Sequence, residues 1–266
     1  MRVEATLLGT GTSVGVPVIG CGCAVCTSAD PRDARTRTSA HVVAHTEAGP
    51  VHLQIDAGPD FRRQALDHGV EHVDAVLVTH EHFDHVVGLD DLRPFFFRDR
   101  SPVPVLAPPR TADALGEMFR YIFRDGTYPG VSRLELHAAE GPAIVASRTA
   151  PEATVEVVPV PAMHGDLPIV GWRVGPLAYL TDVSALPDES VALVRGVDVL
   201  VLDGLRPKPH PTHLSFGEAA ALAARVGARE TWLVHLTHNV LHRDADAMLP
   251  AGVRVGYDGL AIDAEG

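Results

Sequence analysis

The chain has 266 residues, 46% hydrophobic and only 5% aromatic, with a net charge of −12 and a single lysine, Lys208. That is ample Val, Leu and Ala for a globular core, while no segment approaches the roughly 20 apolar residues of a membrane span. The acidic balance argues against a long nucleic-acid footprint, which needs a basic surface.

Taken in chain order, residues 1–8 lack the apolar core and cleavage site of a secretory leader and read as a first strand, so a cytoplasmic protein is expected. Apolar runs and alternation predict further strands at 40–45, 51–55, 73–79, 103–106, 131–137 and 154–160, then at 169–174, 177–181, 197–202, 230–234 and 252–257. Helical patterns fit 59–68, 85–98, 109–123, 186–194 and 215–226. Gly69 is placed to end the first helix, and Ser215 with Glu218 reads as a capping box opening the last. Gly and Pro are spread evenly and nothing resembles a linker, so one domain over 1–266 is expected, of strand-rich α/β type.

The most informative segment follows the strand at 73–79: His80-Glu81-His82-Phe83-Asp84-His85. In extended chain His80 and His82 point the same way. Asp84 and His85 come as the chain turns and can face a second point nearby. Imidazole and carboxylate together suit zinc, manganese or iron, so one loop can serve two ions. A solvated His-rich loop is the bland alternative. Three more candidates, His164, Asp182 and His235, each sit just past the end of a predicted strand. Strand ends gather distant loops in α/β folds, so these residues can converge on the 80–85 loop.

A second constellation lies early in the chain. Cys21, Cys23 and Cys26 are its only cysteines, spaced Cys-x-Cys-x-x-Cys in a loop at 20–27. Three thiols cannot pair off as disulfides, whereas three thiolates suit a structural zinc that needs a fourth ligand. His238, three residues past His235, is the natural candidate; the alternative is three free cysteines. Gly9-Thr10-Gly11 and Gly15 do not match a dinucleotide-binding spacing, since a cysteine loop stands where the helix should begin.

The series His80, His82, Asp84, His85, His164, Asp182 and His235 resembles the motifs of the metallo-β-lactamase-fold hydrolases, nearly end to end. The resemblance implies a four-layer αββα sandwich with a dinuclear site at one edge. It implies one ion on His80, His82 and His164, a second on Asp84, His85 and His235, and Asp182 bridging them. Leu8-Gly9-Thr10-Gly11, Gly15-Val16-Pro17 and the triple-cysteine loop further resemble the phosphoribosyl 1,2-cyclic phosphate phosphodiesterase subfamily. That likeness implies His238 as fourth structural-zinc ligand, a catalytic role for His213, and a homodimer.

The expected activity is therefore hydrolysis of a small phosphodiester, cyclic ones included, by a hydroxide bridging two zinc or manganese ions. Asp84 would orient or deprotonate that water, and His213 would protonate the leaving alkoxide. Asp56 after its strand is a candidate to hold a ligand imidazole. Arg93 either reaches a phosphate or pairs with Asp90 or Asp91, and Arg32, Arg35 and Arg37 read as a solvated basic face. Two alternatives stand: an RNA-processing nuclease of the tRNA 3′-endonuclease type, and a non-hydrolytic accessory protein such as a cofactor-biosynthesis member of the fold. No motif names the substrate's alcohol, and no substrate-binding residue is assigned.

Overall fold

A computed structural model describes residues 1–123 and 130–266. Among them, one sheet is built from β1 (Arg2–Gly9), β2 (Ser39–Thr46), β3 (Gly49–Ile55), β4 (Ala75–Leu77), β5 (Val103–Ala107), β6 (Leu134–Ala138) and, from the far end of the chain, β14 (Leu260–Glu265). Its order is β14-β1-β2-β3-β4-β5-β6. The second contains β7 (Ala143–Ala146), β8 (Thr154–His164), β9 (Leu167–Val174), β10 (Leu177–Leu180), β11 (Val199–Asp203), β12 (Glu230–Val234) and β13 (Val253–Val255), in the reverse order β13 to β7. Both sheets are antiparallel on one side and parallel on the other.

Alternation along the strands decides the layers. Leu7, Leu53, Trp172, Tyr179 and Val201 point between the sheets and form one core. Outside the first sheet, Phe61, Leu89, Leu92 and Leu115 pack helices against Val76 and Val105. Outside the second, Val191, Leu222 and Val226 pack helices against Leu200 and Leu233. The result is the αββα sandwich expected from the sequence. No helix among the described residues is long and apolar enough to cross a membrane.

Local differences have physical causes. The helix expected at 85–98 is three pieces: helical Phe83–Val86, a 3₁₀ stretch Val87–Leu92, and helical Arg93–Asp99. Gly88 donates to Ala57 O, and a Cβ there would lie 2.1 Å from Gly58 O, so the chain is pinned against a neighbouring turn. Pro94, without an N–H, sits in the first turn of the third piece. The strand expected at 154–160 runs on to His164, so that residue ends β8 instead of following it. Strands β7 and β14 were not expected. The Ser215–Glu218 capping box is present, and Gly69 is left-handed at φ 64° just after the helix Phe61–Asp67.

One buried histidine makes stability depend on pH. Burial, with His52 alongside, pushes the His41 imidazole down to about 3. Its unfolded value is near 6.5, so between the two values the unfolded chain holds the extra proton and stability falls as pH falls. By about pH 5 this amounts to on the order of 2 kcal/mol. Urea unfolding of wild type and His41→Asn at neutral pH and about pH 5 should show a loss smaller by that amount in the variant. An equal loss in both would clear His41 of this effect.

Candidate metal centre

The candidate ligands reach one edge of the sandwich because their strands end there. β3 leads to Asp56, β4 runs into His80 and His82, β8 ends on His164, β10 leads to Asp182 and β12 to His235. Asp56 (φ 53°), Asp182 (φ 59°) and His235 (φ 63°) are three of the four non-glycine residues with positive φ among the described residues. Asp and His tolerate that region better than most residues, and sharp left-handed exits recur at functional sites.

The seven side chains meet in overlapping groups. His80, His82 and His164 bring their ligand atoms within 4.8 Å of one another, as do Asp84, His85 and His235, and His80, His85 and Asp182. Asp182 lies between them: its Oδ2 is 3.2 Å from His85 Nε2, and its Oδ1 is 3.3 Å from His235 Nε2 and 4.0 Å from His164 Nε2. Asp84 Oδ2 stands 3.3 Å from His85 Nε2. In a tetrahedral zinc site the edge from imidazole nitrogen to carboxylate oxygen is about 3.4 Å. The Nε2 atoms of His80, His85 and His235 are buried without a hydrogen-bond partner. Buried orphan nitrogens facing carboxylates are what a divalent cation satisfies, so the residues fit the metal pair that the fold implies.

Hydrogen bonds fix which nitrogen faces inward. Thr79 donates to Asp56 through its N–H and its hydroxyl, both at 2.9 Å. With its only hydrogen so used, Thr79 Oγ1 accepts from His80 Nδ1 at 2.9 Å. Asp56 Oδ2 also accepts from His85 Nδ1 at 2.7 Å. His164 Nδ1 donates to Thr212 O at 2.8 Å. All three rings therefore turn Nε2 inward, the nitrogen that would bind a metal. Asp56→Asn loses the charge that orients two of them. A competitive-chelator titration should show metal affinity lower by roughly 10–100-fold, and unchanged affinity would contradict that role.

Electrostatics agree with the donor set. Burial alone would raise Asp182, but His235 and His85 hold it well below the usual carboxylate range. Asp84, against burial, is kept low by the imidazoles of His235 and His85 that face it. Burial beside His85 pushes His80 well down, leaving it neutral. Burial opposes charge on His85, yet Asp182 and Asp56 raise it well above an ordinary imidazole.

At the cysteine loop, the three Sγ atoms of Cys21, Cys23 and Cys26 stand 3.4, 3.5 and 3.3 Å from His238 Nδ1. A tetrahedral zinc with sulfur and nitrogen ligands has an edge of about 3.6 Å, so this cluster also fits its metal. The Cys26 N–H donates to Cys23 Sγ and holds that thiol down to about 6, favouring thiolate.

His213 lies with its ring 4.6 Å from that of His164 and 4.7 Å from that of His235. The sequence reading missed its partner Asp203, fully buried, whose Oδ2 accepts from Leu214 N–H and lies 3.3 Å from His213 Nδ1. A carboxylate at the end of β11 was the available signal, because the other candidate ligands also stand at strand ends. Thr79 and Thr212 carried no recognisable signal. Arg93 pairs with Asp90. The arginines at 32–37 do not form one solvated face, although Arg32 is exposed. Arg35 is buried and donates to Thr10 Oγ1 and Gly256 O, while Arg32 pairs with Asp30 and Arg37 with Asp60.

Comparison with known proteins gives a consistent picture. Residues 52–236 match the beta-lactamase superfamily domain. An octanoyltransferase of Porphyromonas gingivalis is 41% identical over 99% of this chain, which spans about half (52%) of that protein's length. A ribonuclease Z of Mycobacterium marinum is 27% identical over 92% of the chain and 90% of its own length. Among solved structures, a diphosphatase from the PhnP family superimposes with TM-score 0.87 at 40% identity, covering 99% of this chain and 97% of that one. Zinc-bound PqqB from Methylobacterium extorquens shares the fold, with TM-score 0.72 at 21% identity over 97% and 99% of the two chains.

Proposed function

The chain belongs to the beta-lactamase superfamily domain family, and from that footing we propose that it is a metal-dependent hydrolase of small phosphodiesters. The observation that carries this reading is Asp182 placed between two groups of imidazoles, with a further imidazole, His213, at their edge. End-to-end likeness to a diphosphatase supports phosphorus over carbon as the electrophile.

His80, His82 and His164 would hold one ion, Asp84, His85 and His235 the other, with Asp182 shared between them. Two such ions supply a water that ionises near neutral pH and positive charge for the phosphate oxygens. The protein's own groups do the rest. Asp84 leaves its side chain 15% exposed, so an oxygen not turned to His85 is open to accept a proton from the attacking water. Asp203 faces His213 Nδ1 and would hold the N–H there, so that the imidazolium form of His213 presents Nε2–H to the departing alkoxide and returns to the neutral ring. Cys21, Cys23, Cys26 and His238 would hold a structural zinc that anchors the segment carrying His235.

The test is a substrate panel. Purified, metal-loaded protein should hydrolyse bis(p-nitrophenyl) phosphate and a nucleoside 2′,3′-cyclic phosphate, and should leave pre-tRNA and p-nitrophenyl octanoate intact. Preferential cleavage of pre-tRNA would replace the small-substrate reading by the nuclease one. Binding of metal with no diester turned over would favour an accessory protein.

A further inference from the structure

We infer that Glu81 is a positioning residue: it docks the metal-binding loop onto the N-terminus of the helix Pro109–Met118 and thereby fixes His82. The inference rests on the metal-binding reading of residues 80–85. Glu81 stands between two candidate ligands and was given no role from the sequence. Its Oε2 accepts from Thr111 Oγ1 at 2.8 Å, and its Oε1 lies 3.2 Å from Arg110 Nε. Thr111 is fully buried, and the Glu81 side chain is only 15% exposed.

The helix needs such a partner. Its N-cap is Pro108, which makes no side-chain cap bond, and its first turn carries no acidic residue. A helix start leaves unpaired N–H groups and a partial positive charge, which a carboxylate offsets. Glu81 brings that carboxylate from outside the helix, and in doing so it ties the loop down.

His82 shows why the tie matters to the metal. His80, His85 and His164 each have Nδ1 held by a hydrogen bond, and His235 is enclosed by packing. His82 is exposed, and among the described residues its ring makes no hydrogen bond; the rings it meets are those of His80 and His164. Its position therefore depends on the backbone on either side, and Glu81 is the adjoining residue that anchors that backbone to another element.

Manganese titration followed by electron paramagnetic resonance reads the effect without any substrate, because manganese prefers imidazole and carboxylate to thiolate sites. Wild type should bind two ions in the cluster, and Glu81→Ala should weaken one of them by roughly 10–100-fold while the other is little changed. Thr111→Val should do the same, the double variant should be no worse than either single one, and Glu81→Gln, which still accepts from Thr111, should recover much of the loss. Equal weakening of both ions, or Thr111→Val binding like wild type while Glu81→Ala does not, would overturn the docking role. So would wild-type affinity in Glu81→Ala. Absence of manganese binding by the wild-type cluster would instead sink the metal reading on which the inference stands.

Discussion

Asp182→Ala should cost the protein its paired metals and at least about 10³-fold in diester turnover, the equivalent of several kcal/mol of charge stabilisation. Asp182 is 2% exposed, and its oxygens reach both ligand groups: Oδ2 lies 3.2 Å from His85 Nε2, while Oδ1 lies 3.3 Å from His235 Nε2 and 4.0 Å from His164 Nε2. No other carboxylate contacts both groups among the described residues, since Asp84 approaches His85 and His235 but not His80 or His164. Its removal separates the two ligand groups and leaves buried imidazoles without their counter-charge. Metal analysis distinguishes this from unfolding, because the cysteine cluster should keep its ion. Retention of both cluster ions with turnover within about tenfold of wild type would show that Asp182 does not join them.

His213→Ala should lower turnover by roughly 10²–10⁴-fold at unchanged metal content, the usual worth of a placed proton donor. The defect should depend on the leaving group. A 2′,3′-cyclic phosphate expels an alkoxide that needs a proton, whereas p-nitrophenolate leaves without one, so bis(p-nitrophenyl) phosphate should be affected far less. Asp203→Asn should show the same pattern more mildly, because Asp203 acts through the ring it faces at 3.3 Å. Equal defects on both substrates would assign His213 to binding or structure instead.

Much of this was legible before the fold. The 80–85 loop announced itself because metal ligands at that spacing rarely serve another purpose, and His164, Asp182 and His235 could be added because each falls at a strand end. Periodicity gave a strand-rich α/β chain, while the four layers were implied by the family resemblance. What escaped was chiefly what depends on contacts between distant segments. Gly88 divides a helix because it lies against Gly58, thirty positions earlier, and nothing local says so. Arg35 has the sequence context of a surface residue, yet it is buried across Thr10 and Gly256. Asp56 could be named as a support for a ligand imidazole, but that Thr79 and His85 share it is visible only in the fold. Thr111 and Glu81 are thirty residues apart and become partners only through packing.

The most direct test of the whole account is turnover of a small phosphodiester measured while stripped protein is refilled with zinc or manganese. The account predicts no turnover with the imidazole–carboxylate cluster stripped, and turnover that rises as the cluster takes up its second ion. Full turnover from protein whose cluster holds no metal, or none from protein whose cluster holds both, would contradict it.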